Sequence, residues 1–195
     1  MKSKLLLILF IGIMSSGCQI IERAPFPQSE SHIDDELMPY YEAFLNVRED
    51  LGFTEQLPHI NIVLRENLGS VSWRGQCNLF DTTTDGKRYV TDRTILISQK
   101  HYDKVMRIDG EGYHKGIEML VFHELAHCFW AAEHSDKTYP RTIQIDDYPQ
   151  DVTCRDLMYY TGSSYRGALD YLCYTQHFDL YQEQLHAIMS NKIIR

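Results

Sequence analysis

The residues whose types and spacing could do chemistry lie in one run, His123-Glu124-Leu125-Ala126-His127-Cys128-Phe129-Trp130-Ala131-Ala132-Glu133-His134. Two histidines four apart share one face of a helix, about 6 Å apart along its axis, where both imidazoles can grip a single ion. Glu124 stands beside them, placed to act as a base on a water that such an ion carries. Catalytic zinc takes three protein ligands and keeps a fourth position for that water, so the pair needs a third ligand. His134 is the first candidate, with Glu133 and Asp136 as alternatives. With nine histidines in 195 residues, chance supplies roughly 0.025 such motifs per chain, so accident is a poor account of the spacing. The pattern predicts one catalytic Zn²⁺ and hydrolysis by an activated water.

Ligands of this kind must be held rigidly. The stretch Gly116-Ile117-Glu118-Met119-Leu120-Val121-Phe122 runs into the motif without a proline and is apolar nearly all round, which predicts a buried helix from about Tyr113 to Ala132. If that helix simply continued, His134 would lie about 10.5 Å beyond His127, too far for bonds of about 2.0 to 2.1 Å to one ion. The helix must therefore break between Trp130 and Glu133. No glycine stands there, so Ala131, Ala132 or Glu133 has to take the left-handed turn conformation that glycine adopts cheaply.

Upstream, Leu37, Tyr40, Tyr41, Phe44, Leu45 and Val47 predict a helix over Asp34 to Leu51, with Pro39 in its first turn and Gly52 as a stop. Alternation predicts strands over His59 to Arg65 and Val71 to Phe80, after a break at Gly69 and Ser70. Asp85-Gly86 then turns the chain into a third strand over Arg88 to Ser98. A mixed sheet of three or four strands thus precedes the motif helix. Phe178, Tyr181, Leu185 and Ile188, spaced by three, four and three, predict a last amphipathic helix. The order is that of an α+β fold.

From about Asp34 to the end, the chain resembles the zinc metallopeptidases called zincins. More narrowly it resembles the metzincins, whose pattern is HExxHxxGxxH followed by a Met-turn. The corresponding turn here is Asp156-Leu157-Met158-Tyr159-Tyr160. The resemblance implies a zincin-like fold: a small mixed β-sheet, a long active-site helix and a helical C-terminal part. It places Met158 beneath the metal and lets Tyr160 reach the site as an extra donor to the oxyanion. It also implies a peptide or protein substrate laid along the sheet edge, the strand Ser72 to Phe80 by chain order. This sequence departs from the pattern in three places. Trp130 replaces the glycine, Glu133 occupies the third-ligand position, and His134 comes one residue late. The longer spacing with a cysteine after the second histidine resembles small bacterial lipoproteins. A non-catalytic zinc-binding envelope lipoprotein, a metal-free structural lipoprotein and a hydrolase of peptidoglycan cross-links are the rival readings.

Met1 to Gly17 carries two lysines, an apolar stretch from Leu5 to Met14 and then Ser15-Ser16-Gly17-Cys18. It resembles a bacterial lipoprotein signal peptide, which makes Cys18 the lipidated N-terminus of the mature chain. The resemblance implies a membrane link through that lipid anchor, in the outer membrane and facing the periplasm. Residues 18–33, with Pro25 and Pro27, read as a flexible tether, and residues 34–195 as one domain. Loss of Lys2 and Lys4 with the signal takes the formal net charge from −8 to −10, which argues against nucleic acid as a partner. A monomer is expected. Cys77, Cys128, Cys154 and Cys173 suit up to two disulfides in an oxidising compartment. Of the three connectivities, a Cys128 to Cys154 bridge is expected because it would brace the pocket. The other six histidines show no ligand spacing and receive no chemistry.

Overall fold

The computed structural model describes residues 30–69, 74–84, 87–109, 114–159 and 168–191. Its order is α1 (Met38–Asp50), β1 (Asn61–Arg65), β2 (Gly75–Thr84), β3 (Lys87–Ser98), α2 (Gln99–Asp109) and α3 (Lys115–Trp130). After α3 come β4 (Thr138–Ile145), β5 (Tyr148–Arg155), α4 (Ala168–Gln176) and α5 (Phe178–Ser190). The class is mixed α+β, as the element order predicts. Among the described residues no helix is long and apolar enough to cross a membrane. Cys18 and its flanking segment, Tyr160, and the turn at Asp85-Gly86 lie outside the described residues.

The first sheet is mixed and has the order β1-β3-β2. β1 runs parallel to β3, with Ile62 opposite Ile95, and β2 runs antiparallel to β3, with Cys77 opposite Ile95. Alternation puts Ile60, Ile62, Ile95 and Ile97 on the inner face, where all four are fully buried. β1 and β2 are the edge strands, and because the Ile33 segment covers β1 at Ile62, β2 is the outer one. Ile33, assigned above to the tether, is buried and bridges to Ile62, so the folded unit begins slightly before Asp34. The Asp34 carboxylate then accepts the Leu64 N–H at 2.7 Å, tying the entry of the chain to β1.

Helix α3 forms the centre. Val121, Phe122, Leu125, Ala126 and Phe129 are all fully buried, as the all-round apolar run predicts. Each of the large ones contributes roughly 2 kcal/mol by leaving water. His114 caps the helix start by accepting the Gly116 N–H at 2.9 Å. α3 touches β2 and β3 of the sheet and the helices α1, α2, α4 and α5. Phe44 of α1 meets Phe122 edge-on at 5.4 Å and Trp130 at 6.1 Å. Tyr174 of α4 and Tyr181 of α5 close the other side, 4.9 Å apart. Trp130, which stands where the metzincin pattern has glycine, is therefore a core residue.

Two disulfides join the layers, and they correct the expected Cys128 to Cys154 bridge. Cys77 of β2 is bonded to Cys128 of α3, and Cys154 of β5 to Cys173 of α4, with Cα separations of 5.5 and 5.6 Å. The reason is the side of α3 on which each cysteine lies. Cys128 faces the outer strand of the sheet, whereas β5 packs against α4. Chain proximity to the motif could not reveal either fact.

Candidate metal centre

His123 and His127 extend from successive turns of α3, and the helix ends three residues after the second of them. At Ala131 the backbone takes φ 50° and ψ 34°, the left-handed conformation demanded above of one of three non-glycine residues. The N–H groups of Ala131 and Ala132 return to the carbonyls of His127 and Ala126, closing the helix. This turn brings His134 back towards the helix face. Nε2 of His127 lies 3.1 Å from Nε2 of His123 and 3.1 Å from Nε2 of His134. Among the described residues these three histidines form a group that could hold a metal ion, with their ligand atoms all within 4.8 Å of one another. Neither Glu133 nor Asp136, the alternative third ligands, belongs to it.

The other ring nitrogens show which way the lone pairs point. His123 Nδ1 lies 2.7 Å from the Leu157 carbonyl, and His127 Nδ1 lies 2.5 Å from the Ala132 carbonyl. A carbonyl only accepts, so each Nδ1 is the protonated nitrogen and each Nε2 carries a lone pair. The Nε2 lone pairs of His123 and His127 then face each other at 3.1 Å, a repulsive contact that a cation between them relieves. For tetrahedral zinc with Zn–N bonds of about 2.05 Å, adjacent ligand atoms are roughly 3.3 Å apart. The two contacts fit that edge, and a carbonyl behind the ligand is the usual second partner of a metal-binding histidine.

Burial falls across the group: His123 is buried, His127 half-buried and His134 exposed. An ion held there is reached from solvent on the His134 side. Glu124 is buried and lies against the backbone of β2. A Cβ added at Gly75 would meet its Oε1 at 2.6 Å and its Cγ at 2.8 Å. Only glycine leaves room for that carboxylate under the outer strand.

The segment around Met158 supports the ligands through its backbone. Ser135 N–H donates to the Met158 carbonyl at 2.8 Å, and Asp156 N–H to the Lys137 carbonyl at 3.1 Å. The segment leaving His134 thereby runs alongside the turn that offers the Leu157 carbonyl to His123. Asp156 shapes the turn by accepting the Met158 N–H at 2.8 Å and the Tyr139 hydroxyl at 3.1 Å. Gln184 of α5 accepts the Leu157 N–H at 2.7 Å. Burial, reinforced by the Asp156 carboxylate, raises the Tyr139 hydroxyl above its ordinary pKa. Met158 itself is buried beside a cavity of about 390 Å³ walled also by Trp130, Tyr139, Asp156 and Gln184; none of the three histidines lines that cavity.

Sequence reasoning missed Gly75, Asp156 and Gln184, and it missed the two carbonyls entirely. Backbone acceptors leave no side-chain signature, and Gln184 lies 27 residues from the turn it holds. Asp156 alone had a signal, its place two residues before Met158. Comparison with protein-family models, curated proteins and solved structures found no match.

Proposed function

We propose that the protein is a zinc-dependent peptidase of zincin type, tethered to the bacterial cell envelope through Cys18. The observation that carries this reading is the convergence of three Nε2 atoms beside a buried glutamate, with two of the rings held by backbone carbonyls. His123, His127 and His134 would hold the ion. Zinc bound there would make its water far more acidic, bringing its ionisation into the neutral range, and would polarise a substrate carbonyl. Glu124 takes a proton from the attacking water and returns it to the departing amine. The Leu157 and Ala132 carbonyls keep His123 and His127 in the tautomer that presents Nε2. An extended peptide adds to the outer edge of β2, which as the last strand of its sheet offers a ladder for strand addition. Met158 beside the ligand turn, the α+β architecture and the signal-like N-terminus fit the same reading, with Tyr160 as a further oxyanion donor.

The test is a pair of substitutions. Glu124→Gln should keep zinc and lower peptide hydrolysis by about 10²- to 10⁴-fold, whereas His127→Ala should lose both zinc and hydrolysis. Metal content and turnover of a broad peptide library check the two separately. Full activity in Glu124→Gln refutes the base assignment. Zinc binding without turnover on peptides or on purified sacculi makes the protein a metal-binding envelope factor, and cleavage of sacculi alone makes it a cross-link hydrolase.

A further inference from the structure

The sheet and the ligand helix meet at two points of matched spacing. Gly75 and Cys77 are two apart on β2 and face the same way, about 6.6 Å apart along the strand. Glu124 and Cys128 are four apart on α3 and share a face, about 6 Å apart along the helix. Gly75 abuts Glu124, and Cys77 is bonded to Cys128. Equal rises let the strand lie along the helix over this span, with one close packing contact and one covalent bond holding its height. Cys128 follows directly on His127, so the bond anchors β2 to the turn that carries a metal ligand. The opposite edge of β2 pairs with no strand among the described residues.

We infer that Gly75 and the Cys77–Cys128 disulfide are positioning elements: they clamp the outer strand of the sheet to the ligand helix, fixing the height of its free edge above Glu124. The inference rests on the peptidase reading for its consequence, because a peptide paired to that edge is presented to Glu124 only if strand and helix move as one body. A loose edge has to be ordered each time a peptide pairs with it, so losing the clamp weakens peptide binding more than it slows the chemical step.

The experiment compares zinc-loaded parent with Cys77→Ala/Cys128→Ala, using Cys154→Ala/Cys173→Ala as the control for losing a disulfide elsewhere. Three readouts are taken: zinc content, amide hydrogen exchange of β2, and KM and kcat on a cleaved peptide. The first double variant should keep its zinc, exchange β2 amides at least about tenfold faster, and raise KM about tenfold or more with kcat changed less than about threefold. The control should leave β2 exchange at the parent rate. Gly75→Ala should keep zinc and lower kcat about tenfold or more, because the new methyl displaces the Glu124 carboxylate. Unchanged β2 exchange and unchanged KM in the clamp variant overturn the inference. If that variant does not fold, the parent's Cys77–Cys128 bond is opened in the folded protein with a phosphine reductant, the thiols are mapped, and the same β2 exchange criterion decides. A parent that binds zinc and cleaves no peptide refutes the peptidase reading alone, and β2 exchange still decides the clamp.

Discussion

At the scale of single residues, α3 carries a second buried carboxyl besides Glu124. Glu118 is almost fully buried, accepts the Tyr174 hydroxyl at 2.7 Å and has the Lys115 ammonium 2.9 Å from both oxygens. Burial pushes its carboxyl from 4.5 up to about 7, overcoming the Tyr174 hydrogen bond, which lowers it. The folded state thus binds this proton more tightly than the unfolded one. Its contribution to stability is most favourable below the unfolded value and declines as pH rises from about 4.5 to about 7. Glu118→Gln removes the titration. Urea unfolding at ~pH 5 and ~pH 8 should show the variant gaining on the parent as pH rises; a constant difference would refute the assignment.

At the scale of elements, the end of α3 decides which histidines meet. One alanine in the left-handed region converts a straight continuation, in which His134 is out of reach, into a return that brings it within 3.1 Å of His127. A residue with a Cβ is strained there, by about 1 kcal/mol. Ala131→Gly should therefore raise the unfolding free energy by about 0.5 to 1 kcal/mol with zinc binding preserved, measured by urea unfolding of the metal-free protein and by zinc titration. A loss of stability would mean that the turn is relaxed by other contacts. The β4–β5 hairpin between His134 and Met158 was not anticipated, and its residues show why. Pro140 and Pro149 argue against strands, and they mask the sparse alternation of Tyr139, Ile143 and Ile145 with Tyr148, Val152 and Cys154, on a hairpin whose side chains are mostly exposed. Its turn uses Asp146 and Asp147, both at positive φ, in place of a glycine signal. α2 and α4 were missed as well. α2 is strongly polar, and α4 follows a stretch that offers little periodicity.

At the scale of the whole molecule, the three histidines tie together α3, the turn after it and, through Leu157 and Gln184, the C-terminal helix α5. A metal held there links parts of the chain from residue 123 to residue 184, so removing it should loosen the entire fold. Stripping with a chelator should lower the thermal midpoint, and zinc should restore it where magnesium does not. Zinc at about 100 times its dissociation constant adds about 2.7 kcal/mol. His127→Ala should abolish this dependence. A midpoint indifferent to zinc in the parent protein would refute the metal centre.

The helix carrying His123 and His127 was legible as a long apolar run without proline, and the three leading strands and the last helix from apolar spacings that match their period. The need for a left-handed residue between Trp130 and Glu133 was legible too, since it follows from helix rise and ligand bond length alone. What only the tertiary structure decided were the partners brought together from distant segments: Cys77 with Cys128, Gly75 with Glu124, the Leu157 carbonyl with His123, and Gln184 with the turn. Periodicity describes how a segment meets its surroundings, whereas these pairings depend on which faces of separate elements finally meet, and a backbone carbonyl looks the same in every residue.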